Sequence, residues 1–218
     1  MREDLVTTRR TLLQGVAALG VSALIAGEAL EETAFAQDES TLEAAPKSKE
    51  VQYGFLVKLA NCSGCNLCVD ACKLRNAIPE EYESHRKVNT YFNEIGKKIF
   101  VSTSCMHCAV PSCMAVCPAG AISKGEGGIV VVDQERCIGC KYCYQACPFG
   151  VPHYTSAGMD KCDCCQGNGL PLGEEPYCVK ACKFDALRYG PIKDLLAESH
   201  GKAQPIIAST GPSYLLMR

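Results

Sequence analysis

The chain has 218 residues, with 22 basic against 24 acidic side chains, a formal net charge of −2, 6 Phe and no Trp. That balance, with no basic stripe interleaved with aromatics, gives no support to nucleic-acid binding. The outlying residue is cysteine, at 17; with so few large aromatics, something held by those thiols has to fill space that side chains fill elsewhere, and the bare chain is expected to fold poorly.

Residues 1–36 read as a targeting segment. Arg9-Arg10 lies within Thr8 to Leu13, an apolar run follows from Leu12 to Ala26, and the small-residue site Ala34-Phe35-Ala36 precedes Gln37. The order of these features resembles a twin-arginine export signal, a route for proteins that take up cofactors before crossing a membrane. The apolar run is shorter than the ~20 residues that span hydrocarbon. The expected location is therefore the periplasm or the outer face of the cytoplasmic membrane, peripheral through a partner. Residues 37–50 are polar, contain Pro46, and read as a flexible leader.

Tyr53 to Leu59, rich in aromatic and branched residues, predicts a first strand that runs into a cysteine loop. Lys98 to Ser102 and Ile129 to Asp133 deliver the chain to later cysteine loops in the same way, and Ala186 to Tyr189 is the expected sheet partner of the first strand. Residues 76–97 are a charged insertion, with Pro79, Glu80, Glu81, Glu83, His85, Arg86 and Lys87. Residues 191–218, entered through Pro191 and broken by Pro205, Gly211 and Pro212, read as a tail too interrupted for a membrane helix. Insertion and tail are both read as surface loops, open to partners. The expected fold is α+β: two ferredoxin-like dicluster units with small antiparallel sheets, short helices and long cluster-binding loops. Residues 51–190 hold both, an outer unit of 51–75 plus 160–190 and a central unit of 98–155.

Sixteen of the cysteines fall into four groups of four: Cys62/Cys65/Cys68/Cys72, Cys105/Cys108/Cys113/Cys117, Cys137/Cys140/Cys143/Cys147 and Cys162/Cys165/Cys178/Cys182. The first and third share the spacing C-x2-C-x2-C-x3-C, and the two central groups run on into Pro118 and Pro148. Disulfide scaffolds do not repeat such intervals, and zinc sites leave the third cysteine and the proline unexplained. The pattern fits [4Fe-4S] clusters, four in all. In two-cluster ferredoxins the first three cysteines of a run bind one cube and the fourth binds the other. Applied here, cluster A takes Cys62, Cys65, Cys68 and Cys182, and cluster B takes Cys105, Cys108, Cys113 and Cys147. Cluster C takes Cys137, Cys140, Cys143 and Cys117, and cluster D takes Cys162, Cys165, Cys178 and Cys72. The outer groups are paired because both end in Cys-Lys; Lys73 and Lys183 are expected to raise the potential of whatever cluster they approach.

Cys164 is read as a non-ligand, because using it in place of Cys165 shortens the first interval of its group. His107, inside the second loop, and Tyr142, Tyr144, Phe149 and His153 are read as packing or hydrogen-bonding around clusters. No catalytic triad or metalloprotease motif occurs, Gly125 to Gly128 lacks the lysine and hydroxyl of a phosphate loop, and no flavin or nicotinamide fingerprint is present. The chain is thus expected to conduct electrons without performing a substrate reaction itself.

Taken with C-x2-C-x4-C-x3-C at Cys105 to Cys117 and C-x2-C-x12-C-x3-C at Cys162 to Cys182, the stretch from about Gln52 to Gly190 resembles the four-cluster iron–sulfur subunits of the DMSO reductase, or molybdopterin oxidoreductase, family. The resemblance implies a large molybdopterin catalytic partner carrying Mo or W, commonly a membrane quinol-handling subunit, and a role in anaerobic respiration. Relatives with a built-in C-terminal membrane helix, such as formate dehydrogenase beta subunits, fit less well than exported electron-transfer proteins. Two alternatives stand beside it: an exported polyferredoxin delivering electrons to a multihaem cytochrome, and a structural disulfide or zinc interaction module.

Overall fold

Three consecutive apolar residues, Phe55, Leu56 and Val57, set the centre of the architecture. The computed structural model describes residues 51–218, so the segments expected as an export signal (1–36) and a leader (37–50) lie outside the described residues. Strand β1 (Tyr53–Lys58) buries all three residues to 3% exposure or less. A strand buried at successive positions has no solvent face, and the two faces of β1 meet different layers. Phe55 and Val57 pack into the core that contains Cys68, Cys72, Cys164 and Cys178; Leu56 packs behind the sheet on Leu195, Ala203 and Leu215.

Beyond β1 the chain repeats a short helix followed by a hairpin. Helix α1 (Leu67–Arg75) precedes the hairpin β2 (Lys87–Phe92) and β3 (Lys98–Thr103). Helix α2 (Ser112–Ala115) precedes β4 (Ile122–Lys124) and β5 (Val130–Val132), and α3 (Tyr142–Ala146) precedes β6 (His153–Thr155) and β7 (Gly158–Asp160). Helix α4 (Tyr177–Lys180) leads into β8 (Leu187–Pro191). In α1 the three-residue gap between the third and fourth cysteine places Cys68 and Cys72 at i and i+4, one turn apart on one face; in the other groups the helix holds the third cysteine and the fourth follows its end. Helix α1 packs on α4 and α2 on α3, so groups one and four face each other, as do groups two and three.

The chain ends with α5 (Ile192–Glu198), β9 (Ala203–Pro205) and β10 (Tyr214–Met217). These residues were expected as a tail, yet β10 lies beside β1 in a four-stranded sheet of order β8-β1-β10-β9. Phe55 stands opposite Tyr189 on antiparallel β8 and opposite Tyr214 on parallel β10. Helix α5 covers the back of the sheet through Leu195. The prolines that hide this from the sequence fall where a missing N–H costs little, Pro191 closing one edge strand and Pro205 the other. Gly54 is required by the close approach of β10: a Cβ there meets the Ser213 carbonyl oxygen at 2.0 Å.

The insertion also differs from expectation. It contains β2, which pairs along its length with β3, and it buries Arg86 completely and Ile78 to 8%.

Candidate metal centres

All seventeen cysteines are free thiols. Between the first two of each group the backbone turns through left-handed geometry just before the second cysteine: Gly64 at φ +74, His107 at +40, Gly139 at +65 and Cys164 at +58. Glycine meets this demand without strain, and it is required most at Gly64, where a Cβ lands 2.7 Å from the Phe100 ring. Each turn curls its loop back so that the flanking sulfurs approach a shared space. The same correspondence accounts for Cys164, which occupies the turn position of the fourth loop.

Four tetrads of sulfur result. Cys62, Cys65, Cys68 and Cys182 line one pocket together with Leu67 and Leu187. Cys117, Cys137, Cys140 and Cys143 line another together with Ile122 and Tyr154. Cys108 and Cys113 each feel the charges of Cys105 and Cys147, and Cys72 and Cys165 each feel those of Cys162 and Cys178. The last two sets are the more buried. Burial pushes the Cys72 thiol up to about 12, with Cys162 and Cys178 adding to the effect, and pushes Cys113 and Cys165 up to about 11. Thiols packed this way do not ionise together unless a cation joins them, so metal uptake displaces protons. A set of four thiols around a closed, mostly apolar space suits an iron–sulfur cube.

Hydrogen-bond donors reach several sulfurs. The Ala121 amide donates to Cys117 Sγ at 3.3 Å, Ala186 to Cys182 at 3.3 Å and Met159 to Cys137 at 3.4 Å. The Tyr154 hydroxyl is 3.0 Å from Cys143 Sγ, and Ser102 Oγ is 3.5 Å from Cys68 Sγ. His107 is fully buried; its Nδ1 accepts the Val130 N–H at 3.1 Å, leaving Nε2 to face Cys164 Sγ at 3.3 Å. That contact bridges the second and fourth cysteine loops.

Of the other residues singled out in the sequence, Phe149 packs against the core that contains Cys68, Cys72, Cys164 and Cys178. Tyr142 and Tyr144 are 60% and 49% exposed. The His153 ring lies 5.0 Å from that of His85, with Asp160 nearby. Lys73 is ion-paired with Glu80 at 3.2 Å and Lys183 is exposed. The sequence reading missed Tyr154, Ser102 and the buried cation Lys161, and took Arg86 for surface. Only Lys161 carried a usable signal, its position directly before Cys162.

Hairpin-linked helices that cross in pairs and gather free thiols in fours define a ferredoxin-type iron–sulfur protein. Two family models, each described as a 4Fe-4S dicluster domain, match residues 97–192 and 61–121. The protein is 41% identical over 164 residues to the B subunit of anaerobic dimethyl sulfoxide reductase from Escherichia coli, covering 69% of its own length and 78% of that subunit. It is 40% identical over 149 residues to the thiosulfate reductase electron transfer subunit PhsB of Salmonella typhi, covering 66% and 78%. The corresponding dimethyl sulfoxide reductase subunit of Haemophilus influenzae is 39% identical over 158 residues, covering 66% and 76%. The protein therefore belongs to the iron–sulfur subunits of the molybdopterin oxidoreductase family. It is an electron-transfer subunit rather than a catalytic one, and its cofactors are four [4Fe-4S] clusters.

Proposed function

We propose that the four tetrads are the cluster ligands: Cys62, Cys65, Cys68 and Cys182 for A; Cys105, Cys108, Cys113 and Cys147 for B; Cys137, Cys140, Cys143 and Cys117 for C; Cys162, Cys165, Cys178 and Cys72 for D. The observation that carries this reading is the helix crossing, α1 on α4 and α2 on α3, which gives each tetrad one sulfur from the facing group. When bound, each cluster supplies a one-electron site. The protein's own residues hold it by thiolate, donate hydrogen bonds that favour its reduced form, and exclude water from its inner faces.

The order of sites follows from their neighbours. Cys178 of D is an electrostatic neighbour of Cys68 of A and Cys162 of D of Cys105 of B, and the His107–Cys164 contact joins the loops of B and D. Helices α2 and α3 join B to C. The path therefore runs A, D, B, C. The two thiols that are solvent-exposed, Cys65 and Cys140, belong to A and C at its ends. Apolar side chains flank both ends, Phe184 beside A and Ile138 beside C. These features support a relay entered at one end and left at the other, between a membrane quinol-linked partner and a molybdopterin catalytic subunit. The names of the relatives support the catalytic partner, and the twin-arginine pattern in residues 1–36 supports export to the periplasm. Among the described residues, no helix is long and apolar enough to cross a membrane; in this reading a partner provides the attachment there.

Anaerobic iron and sulfide analysis tests the ligand sets, with about 16 iron atoms per chain expected. Purification from the native host tests the relay, with a large molybdopterin subunit expected to co-purify. A stable cytochrome partner without such a subunit replaces this reading with the polyferredoxin one, and a protein with zinc and little iron overturns both.

A further inference from the structure

Two cations, Arg86 and Lys161, are buried in the sulfur-lined core without an ion pair to a carboxylate. Arg86 is 0% exposed. Its Nη1 donates to Ser102 Oγ and to the Tyr214 hydroxyl, each at 3.0 Å, and its Nη2 to Ser104 Oγ at 3.0 Å. Its Nε is buried with no partner, and the guanidinium lies 4.5 Å over the Phe55 ring. Lys161 is 4% exposed, and its ammonium donates to the carbonyls of Cys162 and Val130. Among the described residues, neither takes part in an ion pair with a carboxylate.

Hydroxyls, carbonyls and a ring face satisfy donors, but they do not neutralise a charge. A buried cation so placed is costly unless an anion lies nearby. The anions within reach of Arg86 are sulfurs; beside Lys161 there is also Asp160, whose carboxylate accepts the Lys161 backbone N–H at 2.8 Å and is held by His85. Arg86 is an electrostatic neighbour of Cys68 in set A and of Cys162, Cys178 and Cys72 in set D. One hydroxyl, that of Ser102, touches both Arg86 and Cys68. Lys161 precedes Cys162 of set D and acts on set B, on Cys105 behind the larger influence of His107, and on Cys113. Four thiolates around a cube leave each site net negative, and reduction adds one more negative charge to it.

Resting on the ligand sets proposed above, we propose that Arg86 and Lys161 are fixed counter-charges built into the two inner junctions of the relay, Arg86 between clusters A and D and Lys161 between D and B. Cluster D, flanked by both, is the main beneficiary. Its burial disfavours the extra negative charge of the reduced state, and the two cations offset that penalty, raising its potential so that an electron passes through D instead of stopping before it. The electrostatic neighbours of Cys143 in cluster C include neither cation, and C serves as an internal reference. Lys73 and Lys183, the lysines that follow the outer cysteine groups, do not fill this role, since one is ion-paired and the other exposed.

The test is an EPR-monitored redox titration of the full-length protein, purified anaerobically with its clusters, compared with Arg86→Gln, Lys161→Gln and the charge-keeping Arg86→Lys and Lys161→Arg. At fixed potential, Arg86→Gln is expected to lower the reduced-to-oxidised ratio of A and D at least tenfold, which is about 59 mV for a one-electron couple. Lys161→Gln is expected to do the same for D and B, while C stays unchanged in both and the charge-keeping variants stay near the parent. Selective loss of cluster D in the neutral variants, restored by the charge-keeping ones, supports the same conclusion. Less than a tenfold change at D in neutral variants that keep all their iron overturns it. So does an equal change at C, or an Arg86→Lys shift as large as that of Arg86→Gln. A parent protein short of four clusters refutes the ligand sets instead, and iron analysis separates that outcome from failure of the charge argument.

Discussion

Replacing Leu195 with alanine takes one side chain from the layer behind the sheet while leaving every thiol in place. Leu195 is 3% exposed and packs on Leu56, Ala203 and Leu215. The truncation removes roughly three methylene equivalents at about 0.8 kcal/mol each. The cavity left between α5 and β1 raises the total to about 3 kcal/mol, within the ~2–5 kcal/mol typical of such changes. Cluster content at rest is expected to equal that of the parent. Because unfolding that releases clusters is irreversible, the quantity to measure is a rate: the anaerobic decay of visible cluster absorption in guanidinium. If α5 docks after the folding transition state, about 3 kcal/mol accelerates that decay about 100-fold. Glu198→Ala, on the exposed side of the same helix, is the control. Decay within about threefold of the parent, less than 1 kcal/mol, would refute the placement of α5 and its leucine in the core.

Cys164→Ala is expected to retain full iron, whereas Cys165→Ser loses one cluster, about four iron atoms per chain; metal analysis decides between them. Gly139→Ala adds only the strain of a side chain at φ +65, with nothing within 4 Å of its Cβ, about 1–2 kcal/mol. Gly64→Ala adds the same strain and a 2.7 Å approach to Phe100, a further ~1–3 kcal/mol, so cluster A is expected to be lost faster from its variant than cluster C from the other. Tyr154→Phe removes the hydroxyl 3.0 Å from Cys143. Losing one hydrogen bond of about 1 kcal/mol lowers the cluster C potential by roughly 40 mV for a one-electron couple, read by the same titration, while iron content stays constant.

The thiol groups were legible because cluster loops are local objects. The intervals x2 and x3 and the left-handed turn before the second cysteine are set by a few neighbouring residues, and glycine at Gly64 and Gly139 announces that turn. At Cys164 and His107 the same turn carries side chains that mask it, which is why Cys164 looked like a surplus thiol. The strand from Tyr53 and its partnership with the segment after Cys182 were also readable, since branched and aromatic residues run continuously on both sides of the outer groups.

Arg86 and β10 were not readable. Arg86 stands in a stretch of alternating charges that has the composition of a solvated loop, and nothing in its neighbours tells that three hydroxyls from β3, the segment after it and β10 will close around it. Tyr214 follows a glycine and a proline near the C-terminus, yet it is fully buried beside Phe55. Both placements depend on contacts more than a hundred residues apart, Arg86 to Tyr214 among them.

By itself, then, the sequence determined the iron–sulfur chemistry and the family, because ligand spacing and turn geometry are short-range and survive without knowledge of what lies across the core. Only the tertiary structure decided that the last residues complete the central sheet, and which cations lie buried among the sulfurs. The physical reason is that burial and electrostatics are set by whatever surrounds a group in space: a charge is costly or harmless according to its surroundings, and for Arg86 and Lys161 those surroundings are assembled from distant parts of the sequence.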